Sequence, residues 1–404
     1  MEEPSTRALL AALREAGIAA RFVGGCVRDA LLAPTRGDAI ADIDIATPAR
    51  PEEGVAALAK AGIKAVPTGI AHGTVTALVP PRHFEITTLR RDVEAFGRRA
   101  RVAFDADWAQ AAARRDFTIN AIYLDPDGTL YDPVGGLADL KANRMRFVGE
   151  PATRIAEDVL RVLRYYRFTA RFGGGGGDPA ARTACRAAVP LLPTLSAERV
   201  AQELFRLLAV PNPLPALRMM EEDGVLAAIL PEAVVPGSAC LDRLEKLIAL
   251  EPEPDSLRRL AALVQVDAAG ALVIAERLRL SKAERDRLVG LAPPWPVDPA
   301  ASLNAQRREL YRFDAERYLD IALLIAADGG MAEIRLRELL TLAAGWKPPV
   351  FPLAGRDVTA LGIPPGPRVG QLLAELQSWW EDGDFAADRA ACLERLQNIA
   401  RTAG

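Results

Sequence analysis

The pattern of apolar and polar residues divides the chain into a mixed N-terminal part and a helical remainder. Residues 5–16 repeat apolar side chains at helical spacing, and ARFVGGCVRDALLA then indicates a short strand, a glycine pair and the start of a helix. Alternation with period two predicts strands in ADIDIAT, HGTVTALVP and HFEITTL, the last two as a hairpin. The pattern therefore predicts a mixed α/β unit over residues 1–140.

Strand signals largely vanish after Gly136. The segment PATRIAEDVLRVLRYYRFTARFG predicts one long helix that ends at a glycine run, residues 173–177, and LSAERVAQELFRLLAV predicts the next helix. Further helices separated by proline-rich turns follow. We expect four units: a head at 1–140, a helical neck at 141–210, a helical body at 211–290 and a helical tail at 291–404.

Composition and charge narrow the classes of function. Half of the 404 residues are hydrophobic, a quarter are charged, and the net charge is −3, which argues against wholesale coating of nucleic acid. No apolar run reaches the length of a membrane span, and the acidic start MEEPSTRALL lacks the features of a signal peptide. Four scattered cysteines indicate reduced thiols and a cytoplasmic protein. The two histidines exclude a histidine-dependent phosphohydrolase site in the C-terminal half.

Carboxylates follow a strand pattern in two places. In ADIDIAT the side chains of Asp42 and Asp44 emerge on one face of the strand, with Ile43 and Ile45 behind them. Such a pair either binds a divalent metal ion or forms an ordinary polar strand face. Glu85 in HFEITTL is the candidate third carboxylate, and its alternative is a cross-strand salt bridge.

A glycine pair and a basic segment are candidate anion sites. Gly24 and Gly25 join a strand to a helix, so their backbone N–H groups could approach an anion, with Arg28 one helical turn later. By itself this pair is more often a structural turn. In ARRDFTINAIYL, Arg115 and Asp116 could contact a ribose or phosphates, or belong to a surface cluster of ion pairs.

The segment EDVLRVLRYYRF carries a candidate base-reading pair. On a continuous helix Asp158 and Arg161 would be neighbours, with Arg164 and Arg167 extending a basic stripe. A fixed Asp–Arg pair can accept from an exocyclic amine and donate to a ring nitrogen, a combination that selects cytosine and adenine together. The alternative is an intrahelical salt bridge.

A local basic patch occurs in an otherwise acidic chain. We expect it to be a loop whose arginines contact the RNA backbone in a salt-dependent way. The arginines are Arg90, Arg91, Arg98, Arg99 and Arg101.

Eight motifs in order carry a resemblance that covers about half of the chain. They are VGGCVRDALL, DIDIAT, HGTVTALV, FEITTLR, RRDFTINAI, YDPVGGLADL, EDVLRVLRYYRF and LSAERVAQEL. The chain thereby resembles the class II nucleotidyltransferase family, which contains CCA-adding tRNA nucleotidyltransferases and bacterial poly(A) polymerases. The resemblance implies an α+β N-terminal nucleotidyltransferase head with a small mixed β-sheet, followed by an all-α neck, body and tail.

The same resemblance implies roles for the candidate residues. It implies that Gly25 and Arg28 hold the triphosphate, that Asp42 and Asp44 hold two Mg²⁺ ions, and that Arg115 and Asp116 contact the nucleotide sugar or phosphates. It also implies that Asp158 and Arg161 read the base, with Arg164 and Arg167 supporting the same nucleotide. Two departures from the family pattern are residues 110–113, QAAA, where an acidic residue is common, and the glycine run.

The implied activity is Mg²⁺-dependent addition of C, C and A from CTP and ATP to the 3′ end of tRNA. The nearest alternative is a poly(A) polymerase, or an enzyme that adds only CC or only A. From other classes, an inactive RNA-binding module and a signalling-nucleotide synthetase remain open. The intact aspartates and arginines argue against the inactive module, and a small-molecule acceptor would leave the large helical body unexplained.

Overall fold

The computed structural model describes residues 3–36, 42–69, 73–96, 99–104, 107–174, 176–234 and 239–402. The chain forms two compact units, Met1–Val234 and Val235–Gly404. The division between them falls within the segment 211–290, and the finer division into four units stays a prediction.

The N-terminal unit contains all nine strands found in the described part of the chain. Their bounds are β1 Arg21–Val23, β2 Ile43–Thr47, β3 Lys64–Gly69, β4 Thr74–Val79, β5 Arg82–Thr88, β6 Arg90–Phe96, β7 Arg99–Phe104, β8 Tyr123–Leu124 and β9 Leu130–Tyr131.

Seven of these strands form one small mixed sheet in the order β3-β4-β5-β2-β1-β8-β9. Strands β2 and β5 run parallel, whereas the other neighbours in this sheet are antiparallel. The predicted strand ADIDIAT becomes β2, and the predicted hairpin becomes β4 and β5, so both predictions are confirmed. The mixed sheet confirms the predicted fold class of the head.

The basic segment after β5 differs from the expectation. We expected a loop, but Arg90–Phe96 and Arg99–Phe104 pair as an antiparallel hairpin, with Arg90 opposite Phe104 and Glu94 opposite Arg101. Alternation of charged residues with Val, Ala and Phe is compatible with a strand, and the arginines obscured that pattern. Arg98 lies outside the described residues.

Helices make up the rest of the N-terminal unit. Their bounds are α1 Pro4–Glu15, α2 Gly25–Arg36, α3 Pro51–Lys60, α4 Trp108–Ala113, α5 Gly136–Lys141, α6 Pro151–Glu157, α7 Arg161–Phe172, α8 Pro179–Ala188, α9 Ala197–Leu208, α10 Leu214–Glu222 and α11 Val225–Ile229.

Helix α7 packs its aromatic face against the end of the head. Its residues Tyr165 and Phe168 are buried. The ring of Tyr165 stacks on Phe147 with 5.6 Å between centroids, and Phe168 lies 5.2 Å from Phe117. Each such aromatic pair adds roughly 0.5–1.5 kcal/mol beyond the buried area. These contacts fix the position of α7 relative to the strands.

All regular secondary structure in the described residues of the C-terminal unit is helical. Its helices are α12 Cys240–Leu250, α13 Ser256–Val264, α14 Ala268–Arg277, α15 Lys282–Gly290, α16 Leu303–Phe313, α17 Ala315–Ala327, α18 Glu333–Ala344, α19 Gly355–Thr359, α20 Pro367–Asp382 and α21 Arg389–Thr402.

Two cores hold the C-terminal unit together. The carboxylate of Asp320 on α17 is buried and accepts hydrogen bonds from Arg258 and Arg287, at 2.8 and 2.6 Å. Nearer the C-terminus, Trp380 and Leu376 pack in an apolar cluster between α20 and α21. In the portion of the chain that is described, no helix is both long and apolar enough to cross a membrane.

Candidate functional site

The acidic residues predicted from the sequence lie on adjacent parallel strands. Asp44 on β2 is paired in register with Glu85 on β5, so their side chains share one face of the sheet. Ile43 and Ile45 are buried on the other face, which fixes the orientation of Asp44. Asp42 immediately precedes β2 and is exposed. The structure therefore brings the three predicted carboxylates to one edge of the head.

The electrostatics of this acidic face are unfavourable in the absence of a cation. The pKa of Asp44 is raised above its usual value by burial and then by the negative charge of Glu85. Arg115 lowers this pKa, and Asp42 raises it. The face thus carries repulsion between carboxylates that one nearby guanidinium only partly offsets.

The glycine pair lies directly beside this acidic face. Gly24 joins β1 to α2 with φ +78°, a left-handed conformation that favours glycine. A Cβ atom at Gly24 would lie 3.0 Å from Nη1 of Arg115, so the backbone and that guanidinium approach closely. The thiol of Cys26, in the first turn of α2, lies 3.7 Å from the carbonyl oxygen of Asp44. The glycine turn, the side chain of Arg115 and strand β2 therefore lie in contact with one another.

One nitrogen of the Arg115 guanidinium is hydrogen-bonded to the backbone, and another has no hydrogen-bond partner. Its Nη1 donates to the backbone carbonyl of Asn120 at 3.2 Å. Its Nε is buried and has no hydrogen-bond partner. A buried donor without a partner costs free energy unless a ligand satisfies it. The position of Arg115 between the glycine turn and Asp44 is therefore suited to an anion.

Arg28 is buried, and its polar contacts are within the protein. Its Nη1 donates to the side-chain oxygen of Asn120 at 2.6 Å, and its Nε donates to Asp29 at 2.9 Å. The guanidinium also lies 4.1 Å from the ring centroid of Phe172 on α7. These contacts connect the start of α2 to the end of α7. The predicted contact of Arg28 with the triphosphate stays a prediction.

Asp116 ties the head to the neck. One carboxylate oxygen accepts from the Asn120 amide at 3.1 Å and the Phe117 backbone N–H at 2.8 Å. The other accepts two hydrogen bonds from Arg164 on α7, the Nε one at 3.0 Å. Burial would raise the pKa of Asp116, but Arg164 and these hydrogen bonds hold it below its usual value. Both oxygens are thus engaged by the protein.

The base-reading segment is not the continuous helix that we predicted. Helix α6 ends at Glu157, and α7 begins at Arg161. Asp158 has an extended backbone between them, and its side chain accepts from the Leu160 backbone N–H at 3.1 Å. This side-chain hydrogen bond competes with the helical one and explains the break. The expectation that Asp158 and Arg161 are neighbours on a helix is therefore wrong.

Each member of the predicted base-reading pair has another partner. Asp158 accepts from Arg199 of α9 at 2.7 Å. Arg161 donates to the Arg154 carbonyl at 2.7 Å and also pairs with Glu157. The side chains of Asp158 and Arg161 therefore flank the helix break, each already held by a contact within the neck.

Helix α9 supplies two residues that sequence reasoning did not assign. Glu203 is buried and accepts from Nε of Arg167 at 2.6 Å, while Nη1 of Arg164 lies 3.8 Å away. Arg199 holds Asp158, as described above. Both occur in the motif LSAERVAQEL, four residues apart. A glutamate on the apolar face of an amphipathic helix was the signal that could have identified Glu203.

The remaining predicted residues belong to the basic hairpin. The backbones of Arg90 and Arg91 are in β6, and those of Arg99 and Arg101 are in β7. Their predicted contact with RNA stays a prediction.

The groups at this site suit one class of chemistry. The carboxylates suit the Mg²⁺ ions of phosphoryl transfer, and the glycine turn at the start of a helix, with Arg115 beside it, suits a phosphate. The helix break then provides hydrogen-bonding groups that could face a base. This is the arrangement of a nucleotidyltransferase.

Family comparisons agree with this class. Residues 20–146 match the Poly A polymerase head domain, and residues 178–235 match the probable RNA and SrmB-binding site of polymerase A. The mouse protein CCA tRNA nucleotidyltransferase 1, mitochondrial, is 33% identical over 396 residues, which are 93% of this chain and 86% of the mouse protein. A CCA-adding enzyme of Streptococcus gordonii is 34% identical, covering 95% and 94% of the two chains.

A solved structure is similar over nearly the whole chain. The Bacillus stearothermophilus CCA-adding enzyme in complex with CTP superposes with a TM-score of 0.78 at 28% identity, covering 99% of this chain and 98% of the other. The chain belongs to the family of CCA-adding tRNA nucleotidyltransferases.

The Asp116–Arg164 pair gives a prediction about stability. A double-mutant cycle with Asp116→Asn and Arg164→Gln should give a coupling energy of about 1–3 kcal/mol, because both groups are largely withdrawn from water. Since the pKa of Asp116 is lowered in the fold, its contribution is present at neutral pH and is lost as the pH falls through the folded-state value. Urea unfolding at pH 7 and at acidic pH measures both effects.

The matched control is the exposed pair Glu333 and Arg337 on α18. Its coupling energy should be only about 0.3–0.5 kcal/mol. If the coupling energy of Asp116 and Arg164 is no larger than that of the control pair, the Asp116–Arg164 ion pair contributes little to the free energy of unfolding.

Proposed function

We propose that the protein adds C, C and A to the 3′ end of tRNA from CTP and ATP, without a nucleic-acid template. The observation that carries this proposal is the acidic face of Asp44 and Glu85 beside the Gly24 turn and Arg115. The chain is also similar over nearly its full length to proteins named CCA tRNA nucleotidyltransferase and CCA-adding enzyme. A poly(A) polymerase would share the same face, so the reaction product distinguishes the two activities.

We infer that Asp42 and Asp44 hold Mg²⁺, with Glu85 beside them. Within the described residues, no group of three or more His, Cys, Asp or Glu side chains could hold a metal ion. Mg²⁺ commonly takes one or two carboxylates and completes its ligands with substrate phosphates and water, so the proposed site needs no larger group of protein ligands. The raised pKa of Asp44, caused by burial and by Glu85, fits the assignment, because a cation would relieve the repulsion. Bound Mg²⁺ would acidify the RNA 3′-hydroxyl and neutralise charge on the triphosphate.

We propose that the glycine turn and Arg115 position the triphosphate. Helix α2 begins at Gly25, so its first N–H groups and the positive end of the helix dipole face an incoming anion. The partnerless Nε of Arg115 gives a further donor. Because both oxygens of Asp116 accept from the protein, we assign that residue a positioning role through Arg164. We assign Arg28 the same kind of role, since it holds Asn120 and stacks on α7.

We propose that Asp158 and Arg161 read the base edge and that Arg164 and Arg167 fix α7 beneath it. The break supports this proposal, because residues 158–160 lie outside both helices and the partly exposed side chains of Asp158 and Arg161 flank it. A carboxylate acceptor and a guanidinium donor match the pairing edges of cytosine and adenine.

We propose further that the β6–β7 hairpin contacts the RNA backbone, supported by its arginine content alone. A cytoplasmic, reducing location is supported by the four cysteines, which are buried free thiols.

The decisive experiment incubates the protein with Mg²⁺, CTP, ATP and a tRNA transcript that lacks its last three nucleotides. Sequencing of the 3′ ends should show CCA and then no further addition. A growing tract of A would instead identify a poly(A) polymerase, and CC or A alone would identify a partial enzyme. If no RNA is extended, the proposed function is wrong.

Substitution of Asp44 tests the metal assignment independently of turnover. Because the pKa of Asp44 is raised in the fold, its ionised form destabilises the metal-free protein at neutral pH. In EDTA, Asp44→Asn should therefore raise Tm by about 2–4 °C. MgCl₂ should raise the Tm of the wild type more than that of the variant. Nucleotide addition should fall at least about 100-fold.

The control is Asp286→Asn, which changes an exposed aspartate on α15. It should leave Tm, the response to MgCl₂ and nucleotide addition unchanged. An Asp44→Asn protein that responds to MgCl₂ as the wild type does would contradict the assignment.

Asp158 gives a prediction about nucleotide choice. Asp158→Ala should reduce discrimination of CTP and ATP against UTP and GTP by on the order of tenfold or more, because a base-edge acceptor is lost. Asp158→Asn retains an oxygen that can accept from the Leu160 N–H and so preserves the break. Single-nucleotide incorporation with each of the four triphosphates measures the change.

Comparison of the two variants separates structure from recognition. If Asp158→Asn loses discrimination while its Tm stays near that of the wild type, the carboxylate itself reads the base. Unchanged discrimination in both variants would show that Asp158 has no part in base selection.

A further inference from the structure

A basic cavity, separate from the acidic face, lies on α7 and the end of α9. Its volume is about 830 Å³, within the range of cavities that hold small organic ligands. Arg167 and Arg171 of α7 and Arg206 of α9 line it. Its described lining comes from residues 167–171 and 206–212, that is, from α7, the end of α9 and the residues that follow α9, and not from the strands that carry the acidic face.

Positive charge is in excess at this cavity. The buried carboxylate of Glu203 lies 2.6 Å from Arg167, 3.7 Å from Arg206 and 3.8 Å from Arg164. Even with Arg164 paired to Asp116, these three guanidinium groups face only two carboxylates. The pKa of Arg167 is lowered by burial, and although Glu203 opposes this effect, the charges of Arg164 and Arg206 add to it. An anion bound in the cavity would relieve that repulsion.

Helix ends alone do not account for this arrangement. Arg171 and Arg206 lie in the last turns of α7 and α9, where a cation stabilises the helix dipole by roughly 0.3–1 kcal/mol. That effect needs no cavity and no shared carboxylate. It also does not explain why the two helix ends place their arginines on one concave surface.

The rest of the lining is small and apolar. Ala170, Ala209 and Pro211 form a surface without bulky side chains, and Asn212 lies at its edge. The side-chain oxygen of Asn212 accepts from the Leu214 backbone N–H at 3.2 Å, which leaves its amide N–H₂ group as a donor. Cationic and apolar surfaces side by side match the phosphate and the ring of one nucleotide.

We propose that this cavity binds one nucleotide of the RNA substrate near its 3′ end, with the backbone phosphate at Arg171 and Arg206 and the ribose or base against Ala170 and Pro211. The inference rests on the proposed function and adds a contact surface for its RNA substrate. Arg167 and Arg171 are six and ten residues from Arg161, so the cavity lies about 9–15 Å along α7 from Arg161.

The choice of RNA over the incoming triphosphate follows from position. The triphosphate must reach the acidic face and the glycine turn, both of which belong to β1, β2, α2 and β5. The cavity is lined by residues of α7 and the end of α9. The guanidinium of Arg28, which contacts the ring of Phe172, lies between the end of α7 and the glycine turn. A strand of RNA whose 3′ end reaches the acidic face can extend to this cavity.

The test replaces Arg206, whose side chain is about half exposed. The substrate is a tRNA transcript that lacks its last three nucleotides. Steady-state extension measures KM, and filter binding at several salt concentrations measures Kd and its salt dependence. Arg206→Glu should raise KM and Kd for this tRNA on the order of tenfold, and Arg206→Ala should lower the log–log salt slope of binding by about one. KM for CTP should stay within about twofold, and Arg206→Lys should recover most of the affinity. Arg171→Ala is the second variant if a change at Arg206 impairs folding.

The matched control is Arg14→Glu. Arg14 is exposed on α1 and lines a separate cavity of about 820 Å³ in the head. Arg14→Glu therefore changes the net charge as Arg206→Glu does, also in a cavity of similar volume. It should leave tRNA affinity and salt slope unchanged.

The outcomes separate the two proposals. Unchanged tRNA affinity and salt slope in the Arg206 and Arg171 variants of an active enzyme would overturn the inference alone. A rise in KM for CTP without a change in tRNA affinity would also overturn it, because the cavity would then bind the triphosphate. If the wild type extends no tRNA, the proposed function fails, while filter binding still decides whether the cavity contacts RNA.

Discussion

The ion pair between Asp116 and Arg164 is the contact on which the rest of the site depends. Asp116 belongs to the head and Arg164 to α7, and their hydrogen bonds fix the helix against the end of the sheet. Arg164 also lies near Glu203, which holds Arg167, so the tie continues into α9. A partly buried pair of this kind, with 12% of the Asp116 side chain exposed, is costly to break from one side, because the remaining charge loses its partner. Placement of the proposed base-reading segment therefore follows from one carboxylate in the head.

The acidic face shows the opposite kind of electrostatics. Asp116 is fully engaged and its pKa is lowered, whereas Asp44 lies against Glu85 and its pKa is raised by burial and by that charge. One aspartate thus stabilises the fold, and the other is held in place by the buried strand beneath it at a cost to stability. Carboxylates whose environments move their pKa values in opposite directions commonly divide into structural and functional groups. The geometry of β2 and β5 maintains the unfavourable arrangement.

The sequence was sufficient for features with a local period and insufficient for those that depend on tertiary contacts. Alternation around Asp44 and around Glu85 predicted two strands, but their parallel pairing in register follows from the sheet order. Helical spacing across EDVLRVLRYYRF predicted one helix, because nothing in the period shows that Asp158 bonds the Leu160 N–H and Arg199 instead. The arginines of the β6–β7 hairpin suggested a loop, since charge obscured the strand pattern. Glu203 could have been found, because a glutamate on an apolar helix face needs a cation.

If Asp158 and Arg161 read the base as proposed, the helix break connects the fold with nucleotide specificity. Asp158 and Arg161 are each held by a protein partner, Arg199 in one case and Glu157 in the other. A base that offers an amine and a ring acceptor can replace those contacts with equivalent hydrogen bonds. A base with a carbonyl and an N–H in these places would leave a carboxylate facing an acceptor and a guanidinium facing a donor. Because unpaired polar groups withdrawn from water are expensive, such a site rejects the mismatched base more strongly than it attracts the matching one. On the proposed assignment, one protein surface selects two bases without a nucleic-acid template, provided that α7 stays fixed to the head.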